Sequence, residues 1–215
     1  LDRLTRDRED EDKKVASGKR INSAADDAAG LQISSRLTSQ INEVSQLSVN
    51  AQDQVNLNNV QSGQLASISE SLQRANTLSI QSGSPLADAN AIQGELDQLT
   101  EQINTIAGEA LGNSSFISGL DANDPQATQA ALDTALTSIN DSAAALGADS
   151  NLLEGQVATY ETTRVNVSAS RSQIEDTDFA STTAEQQQLN TLIQSTIINK
   201  KDEDQRKGLL VNQIV

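Results

Sequence analysis

The stretch SPLADANAIQGELDQLTEQINTIAGEALGN, residues 84–113, decides how this chain folds. Its apolar residues Ala89, Ile92, Leu96, Leu99, Ile103 and Ile106 follow at steps of three, four, three, four and three. That alternation is a heptad seam, the pattern of a helix that buries one narrow stripe against a neighbouring helix. Ser84 before Pro85 reads as an N-cap followed by proline at the first helical position, where a missing N–H costs nothing. Gly112-Asn113 and the serines after it supply turn chemistry, so the spacing predicts a helix over about 85–111. Upstream, Leu37, Ile41, Val44, Ala51, Val55, Leu65, Ile68 and Leu72 keep the same steps, with polar Asn58 and Ser62 in a gap. Residues 31–81 thus read as one helix of about 75 Å at ~1.5 Å rise per residue. Such a rod needs partners along its length. Downstream, Asp124-Pro125 repeats the cap-then-proline signal. Leu132, Leu136, Ile139, Ala143, Leu146, Leu153, Val157, Tyr160, Val167 and Ile174 carry the stripe over about 125–172, with Gly147 and Gly155 marking a bend or a close helix approach.

The expected fold is all-α: an elongated antiparallel bundle of long helices with coiled-coil-like seams. Residues 112–124 are a short connection, either a hairpin or an irregular turn. The rod spans 17–181, flanked by a charged segment at 1–16 and a Gln/Thr-rich one at 182–215. Between Asp2 and Lys14 only Leu4 and Thr5 lack charge, and Lys200–Lys207 interrupts the last apolar pattern. Arg6 with Asp10, Glu9 with Lys13 and Asp10 with Lys14 have i,i+4 spacing. Each end reads either as a helix or as a solvated, frayed tail, and a further reading pairs the two ends through complementary charge.

Composition narrows function. The chain has 215 residues with no Cys, His, Met or Trp, and 30 acidic against 15 basic residues give a formal charge of −15. Disulfides, zinc sites with Cys or His ligands, imidazole bases and Cys nucleophiles are excluded, and no enzyme or cofactor is expected. The sign of the charge repels phosphate backbones and anionic lipid heads, so neither nucleic acid nor membrane is an expected partner. No apolar run is long enough to span a bilayer. The chain begins at Leu1 without a cleavable signal, and removal of an upstream segment is expected.

Candidate sites are few. Asp26 and Asp27 point about 100° apart as helix neighbours, poorly placed to share an ion and better placed to favour a helix N-terminus. Glu175, Asp176 and Asp178 lack the spacing of a calcium loop and read as a corner between helices. Asn113, Asn140 and Asn166 each open a three-residue glycosylation pattern, which chance explains in a Ser/Asn-rich chain. Gln73, Arg74, Leu78 and Gln81 lie within two turns, and an antiparallel return would bring Glu95 beside them as an ordinary polar face.

The run SGKRINSAADDAAG, residues 17–30, resembles the N-terminal signature of bacterial flagellins, with Arg20, Ile21, Asn22, Ser23, Asp26, Asp27 and Gly30 in the family's places. The segment SRSQIEDTDFA, residues 170–180, is similar to the family's C-terminal motif, carried by Arg171, Ile174, Asp176, Asp178 and Phe179, with Phe179 where Tyr is usual. The resemblance covers about 15–110 and 130–199. It implies the flagellin core fold and a self-assembling filament subunit for motility, exported by the flagellar secretion system to the cell exterior. The outer variable part would be reduced to 112–124, with Phe116 in a family position. It also implies a secretion chaperone as partner. Gln73, Arg74, Leu78, Gln81 and Glu95 would be inter-subunit contacts or the patch read by an innate immune receptor, the flagellin-sensing Toll-like receptor. Arg74 and Glu95 match the receptor-contacting pair, and Asn76 and Thr77 depart from the usual charged residues. Both terminal segments depart too, carrying charge where the family has apolar periodicity. This suits either a soluble form or a subunit with altered terminal packing.

Overall fold

A computed structural model describes residues 1–212, with side chains up to residue 207. Every named element is a helix: α1 Asp2–Ser17, α2 Ala28–Ser82, α3 Ala89–Leu111, α4 Pro125–Glu175 and α5 Phe179–Asn212. The segment expected at 182–215 belongs to α5 as far as Asn212, and its residues 213–215 lie outside the described residues. The chain divides into two compact units, a central one of residues 46–160 and a terminal one of residues 1–45 with the described residues from 161 onward.

In the central unit α2 and α3 run antiparallel. Arg74 meets Glu95, and Gln61 Nε2 donates to the Ala110 carbonyl at 3.3 Å. The same stretch of α2 is antiparallel to α4, since Ser79 donates to the Pro125 carbonyl and Asn58 to Asp149. The heptad stripe faces inward: Leu65, Ile68, Leu72, Ile92, Leu96, Ile103, Leu132 and Ile139 form one buried cluster, with Leu99 and Ile106 packed on its edge. Burying each large aliphatic side chain contributes about 1.5–3 kcal/mol, so cohesion here is mainly hydrophobic. Asn58, in the expected gap, is buried and fills the seam with a polar layer, donating to Asp149 Oδ2 at 2.8 Å and Ser150 Oγ at 3.3 Å.

Two expectations need correction. α3 starts at Ala89, not Pro85: the carboxylate of Asp88 accepts from the Asn90 and Ala91 N–H groups. Pro85 instead takes the second position of a turn closed by the Ala87 N–H on the Ser84 carbonyl at 3.0 Å, a place that suits its fixed φ. Gly147 and Gly155 face open space, so neither marks a close approach, and α4 continues through both. α4 does begin at Pro125, with Asp124 Oδ1 accepting from the Ala127 N–H.

The connection 112–124 is an irregular turn, and three polar side chains hold it. Asn104 donates to the Ile117 carbonyl at 2.8 Å and accepts from its N–H at 2.9 Å. Gln93 does the same for the Leu120 carbonyl and the Ala122 N–H, and Thr128 Oγ1 for both backbone groups of Asp121. These bonds let Ile117, Leu120 and Ala122 be buried without orphaning their backbone.

In the terminal unit α1 is a helix packed along α5, so residues 1–16 are not a frayed tail. The two run antiparallel, and Gln186 Nε2 donates to Asp12 Oδ1 at 2.5 Å. The ion pairs run along α1 itself: Arg3–Asp7, Arg8–Asp12, Lys13–Asp10 and Lys14–Glu11. Lys13 thus takes Asp10 rather than Glu9, and Lys14 takes Glu11 rather than Asp10. Among the described residues no ion pair crosses from α1 to α5.

Candidate functional site

The two signature segments meet in the terminal unit. Gly18 ends α1 in the left-handed conformation, φ 69°, where glycine has no Cβ to clash. The chain then runs alongside the end of α4: the Arg20 N–H donates to the Glu175 carbonyl at 2.7 Å, the Thr177 N–H donates to the Gly18 carbonyl at 3.1 Å, and Lys19 and Asp176 form an isolated antiparallel bridge. Arg20 Nη2 also reaches the Ile174 carbonyl at 2.7 Å. That carbonyl lies in the last turn of α4, where a cation meets the negative end of the helix dipole.

Asp26 and Asp27 hold the turn into α2. Asp26 Oδ2 accepts from the backbone N–H groups of Asn22 and Ser23 and from the Ser23 hydroxyl. Those donors keep its carboxyl below the usual aspartate range, the two backbone N–H groups first. Asp27 Oδ1 accepts from the Gly30 N–H at 2.8 Å and so caps α2. Gly30 allows this closeness, because a Cβ there would stand 2.5 Å from Asp27 Oδ2 and 2.6 Å from Ile21 Cδ1. Ile21 is the buried residue beneath, 2% exposed. Asn22 Nδ2 donates to the Lys19 carbonyl, Asp176 accepts from Ser172, and Asp178 caps α5 through the Ala180 and Ser181 N–H groups. Phe179 stands exposed.

Glu175 is the group on which these segments converge. Its carboxylate takes Lys19 Nζ at one oxygen and the Ser34 hydroxyl at the other, 2.5 Å away, with Arg171 Nε at 3.9 Å. Arg171 also points Nη1 at Thr38 Oγ1, 3.5 Å away. Buried Glu175 is held below the ordinary glutamate range, first by Lys19 and then by Ser34 and Arg171, against the opposing effect of burial. Sequence reading placed Glu175 in a corner but did not find Lys19, Ser34 or Thr38 as its surroundings. A small hydroxyl such as Ser34 on the inward stripe of α2 is the signal that was available. Gln93, Asn104 and Thr128 were missed too, although apolar Ile117 and Leu120 amid turn residues imply an ordered loop whose backbone needs partners.

The second cluster lies in the central unit. Arg74 Nε and Nη2 both approach Glu95 Oε1 at 2.7 Å, joining α2 to α3. Gln73 and Gln81 are exposed with them. Leu78 is not, for at 3% exposure it belongs to the core and offers a partner no surface. Among the described residues, no group of acidic side chains is arranged to hold a metal ion, and no helix is long and apolar enough to cross a membrane.

Comparison with known proteins bears on both clusters. The family model for the bacterial flagellin N-terminal helical region matches residues 3–123, and that for the C-terminal helical region matches residues 129–199. A flagellin of Clostridium tyrobutyricum is 41% identical over 54% of this chain and 33% of its own length. The flagellar filament 41 kDa core protein of Borreliella burgdorferi is 41% identical over 46% of this chain and 31% of its own. The match thus spans about a third of either relative. A flagellin of Halalkalibacterium halodurans is 28% identical over 85% of this chain and 83% of its own length. The two family models together cover both signature segments and most of the chain between them; the chain belongs to the bacterial flagellin family.

Proposed function

We propose that this chain is a structural subunit of a flagellar filament, exported by the flagellar secretion system and working outside the cell, in motility, by packing against copies of itself. The observation that carries this reading is the number of large apolar side chains that the central unit leaves in solvent, among them Leu47, Val49, Leu57 and Val60 on α2 and Leu152 on α4. Between Val44 and Ile68 Asp53 is the one charged residue, so this stretch of α2 is nearly neutral in a chain of charge −15. Like-charged copies approach at least cost along a neutral surface, where apolar burial is opposed by little repulsion. The name of the Borreliella relative, a flagellar filament core protein, supports the same assignment. Salting out purified protein with ammonium sulfate, followed by negative-stain microscopy and sedimentation, tests it. Filaments are expected; a monomer whose sedimentation does not change with concentration refutes it.

A second reading uses Gln73, Arg74, Gln81 and Glu95 as a recognition patch for the flagellin-sensing Toll-like receptor. The exposed Arg74–Glu95 pair favours it, as two side chains fixed in one geometry at a surface. Asn76 and Thr77 reduce the charge beside them. A secretion chaperone is the further partner that the export route requires.

A further inference from the structure

The two units cohere by different physics. Among the described residues the buried apolar cluster lies wholly in the central unit, and Ile21 is the one buried aliphatic side chain of the terminal unit. The polar residues buried in the central unit are Ser48, Asn58, Ser71, Ser79 and Thr128, none of which titrates. In the terminal unit they include two carboxylates, Glu11 and Glu175. Glu11 bonds to Lys14 one turn away on its own helix, whereas Glu175 ties α4 to two other segments.

We propose that Glu175 is an acid-sensitive clasp of the terminal unit: protonating its carboxyl frees the 18–27 segment and the start of α2 from the end of α4, while the central unit stays folded. The groups facing it are Lys19 and Arg20 from the linking segment, Ser34 and Thr38 from α2, and Arg171 and Asp176 from α4. Arg20 bonds the Ile174 carbonyl and Asp176 bonds Ser172, so Lys19 and Arg171 are the cations that Glu175 neutralises. Both keep their charge in acid, and a neutral Glu175 leaves them in a half-buried site without their anion, at a cost that little apolar burial offsets. Because the folded carboxyl is held below its ordinary value, its stabilisation is complete above about pH 4.3 and is lost as pH falls through the lowered folded value.

Hydrogen exchange on the full chain between neutral pH and about pH 3, corrected for intrinsic rates, tests this. Peptides over residues 18–38 and 170–186 are expected to lose protection tenfold or more in acid, and peptides over 65–78 and 130–140 to keep theirs. Glu175→Gln should show the reduced terminal protection already at neutral pH and little further change in acid. Lys19→Met, which keeps the carboxyl and removes its first partner, should move the acid transition to higher pH. It serves as the test if Glu175→Gln fails to fold, which its central peptides would reveal. Asp26→Asn removes the other carboxylate held low in this unit and should leave the transition in place. Loss of protection in both units together, terminal peptides unchanged in acid, or a transition abolished by Asp26→Asn and untouched by Glu175→Gln or Lys19→Met, each overturns the clasp.

Discussion

Replacing Gly30 with alanine separates packing from propensity, because the two predict opposite signs. Gly30 lies in the first turn of α2, where alanine is favoured over glycine by about 1 kcal/mol on propensity alone. A Cβ at this position, however, would lie 2.5 Å from Asp27 Oδ2, 2.9 Å from Asp27 Cγ and 2.6 Å from Ile21 Cδ1. To clear it, Asp27 must turn away and give up the cap to the Gly30 N–H, which costs about 1 kcal/mol. Buried Ile21 must leave its rotamer in a packed site, costing about 1 kcal/mol more. The net expectation is a loss of about 1 kcal/mol. Gly63, in the same helix, has nothing within 4 Å of an added Cβ, so Gly63→Ala should gain about 1 kcal/mol. Urea unfolding followed by circular dichroism, with hydrogen exchange on peptides covering each position, measures both. The two variants should differ by about 2 kcal/mol, and a Gly30→Ala protein as stable as the parent refutes the packing argument.

Asn104→Ala removes both bonds to the Ile117 backbone and leaves a buried N–H and carbonyl unpaired; a loss of about 2 kcal/mol is expected, with exchange protection falling first over residues 113–122. Arg74→Ala breaks only a half-exposed ion pair worth about 0–1 kcal/mol, so the fold should survive. It should then lower signalling in receptor-reporter cells, and unchanged signalling counts against the recognition patch.

The helices of the central unit were legible because their stripes serve one helix–helix seam. Leu96 and Ile103 read as seam positions and are fully buried. The start of α3 was misread because two cap signals compete within five residues, and Asp88 wins over Ser84 with two backbone donors to accept from. The signature residues were visible as a pattern but not as a structure. Glu175 acquires its meaning from Ser34, 141 positions away, and no local period encodes that distance. The connecting turn stayed unread for a similar reason, since its order resides in Gln93, Asn104 and Thr128, which look like ordinary helix polar residues until the turn folds over them.

That turn also shows where the polypeptide tolerates lengthening. Ser118 and Gly119 are exposed between buried Ile117 and Leu120, and Gly119 has φ 76°. Asn104 fastens the backbone just before this pair, and Gln93 and Thr128 fasten it just after. A foreign epitope grafted between Ser118 and Gly119 would therefore emerge from two anchored stumps, displayed on a scaffold whose fastenings all remain intact.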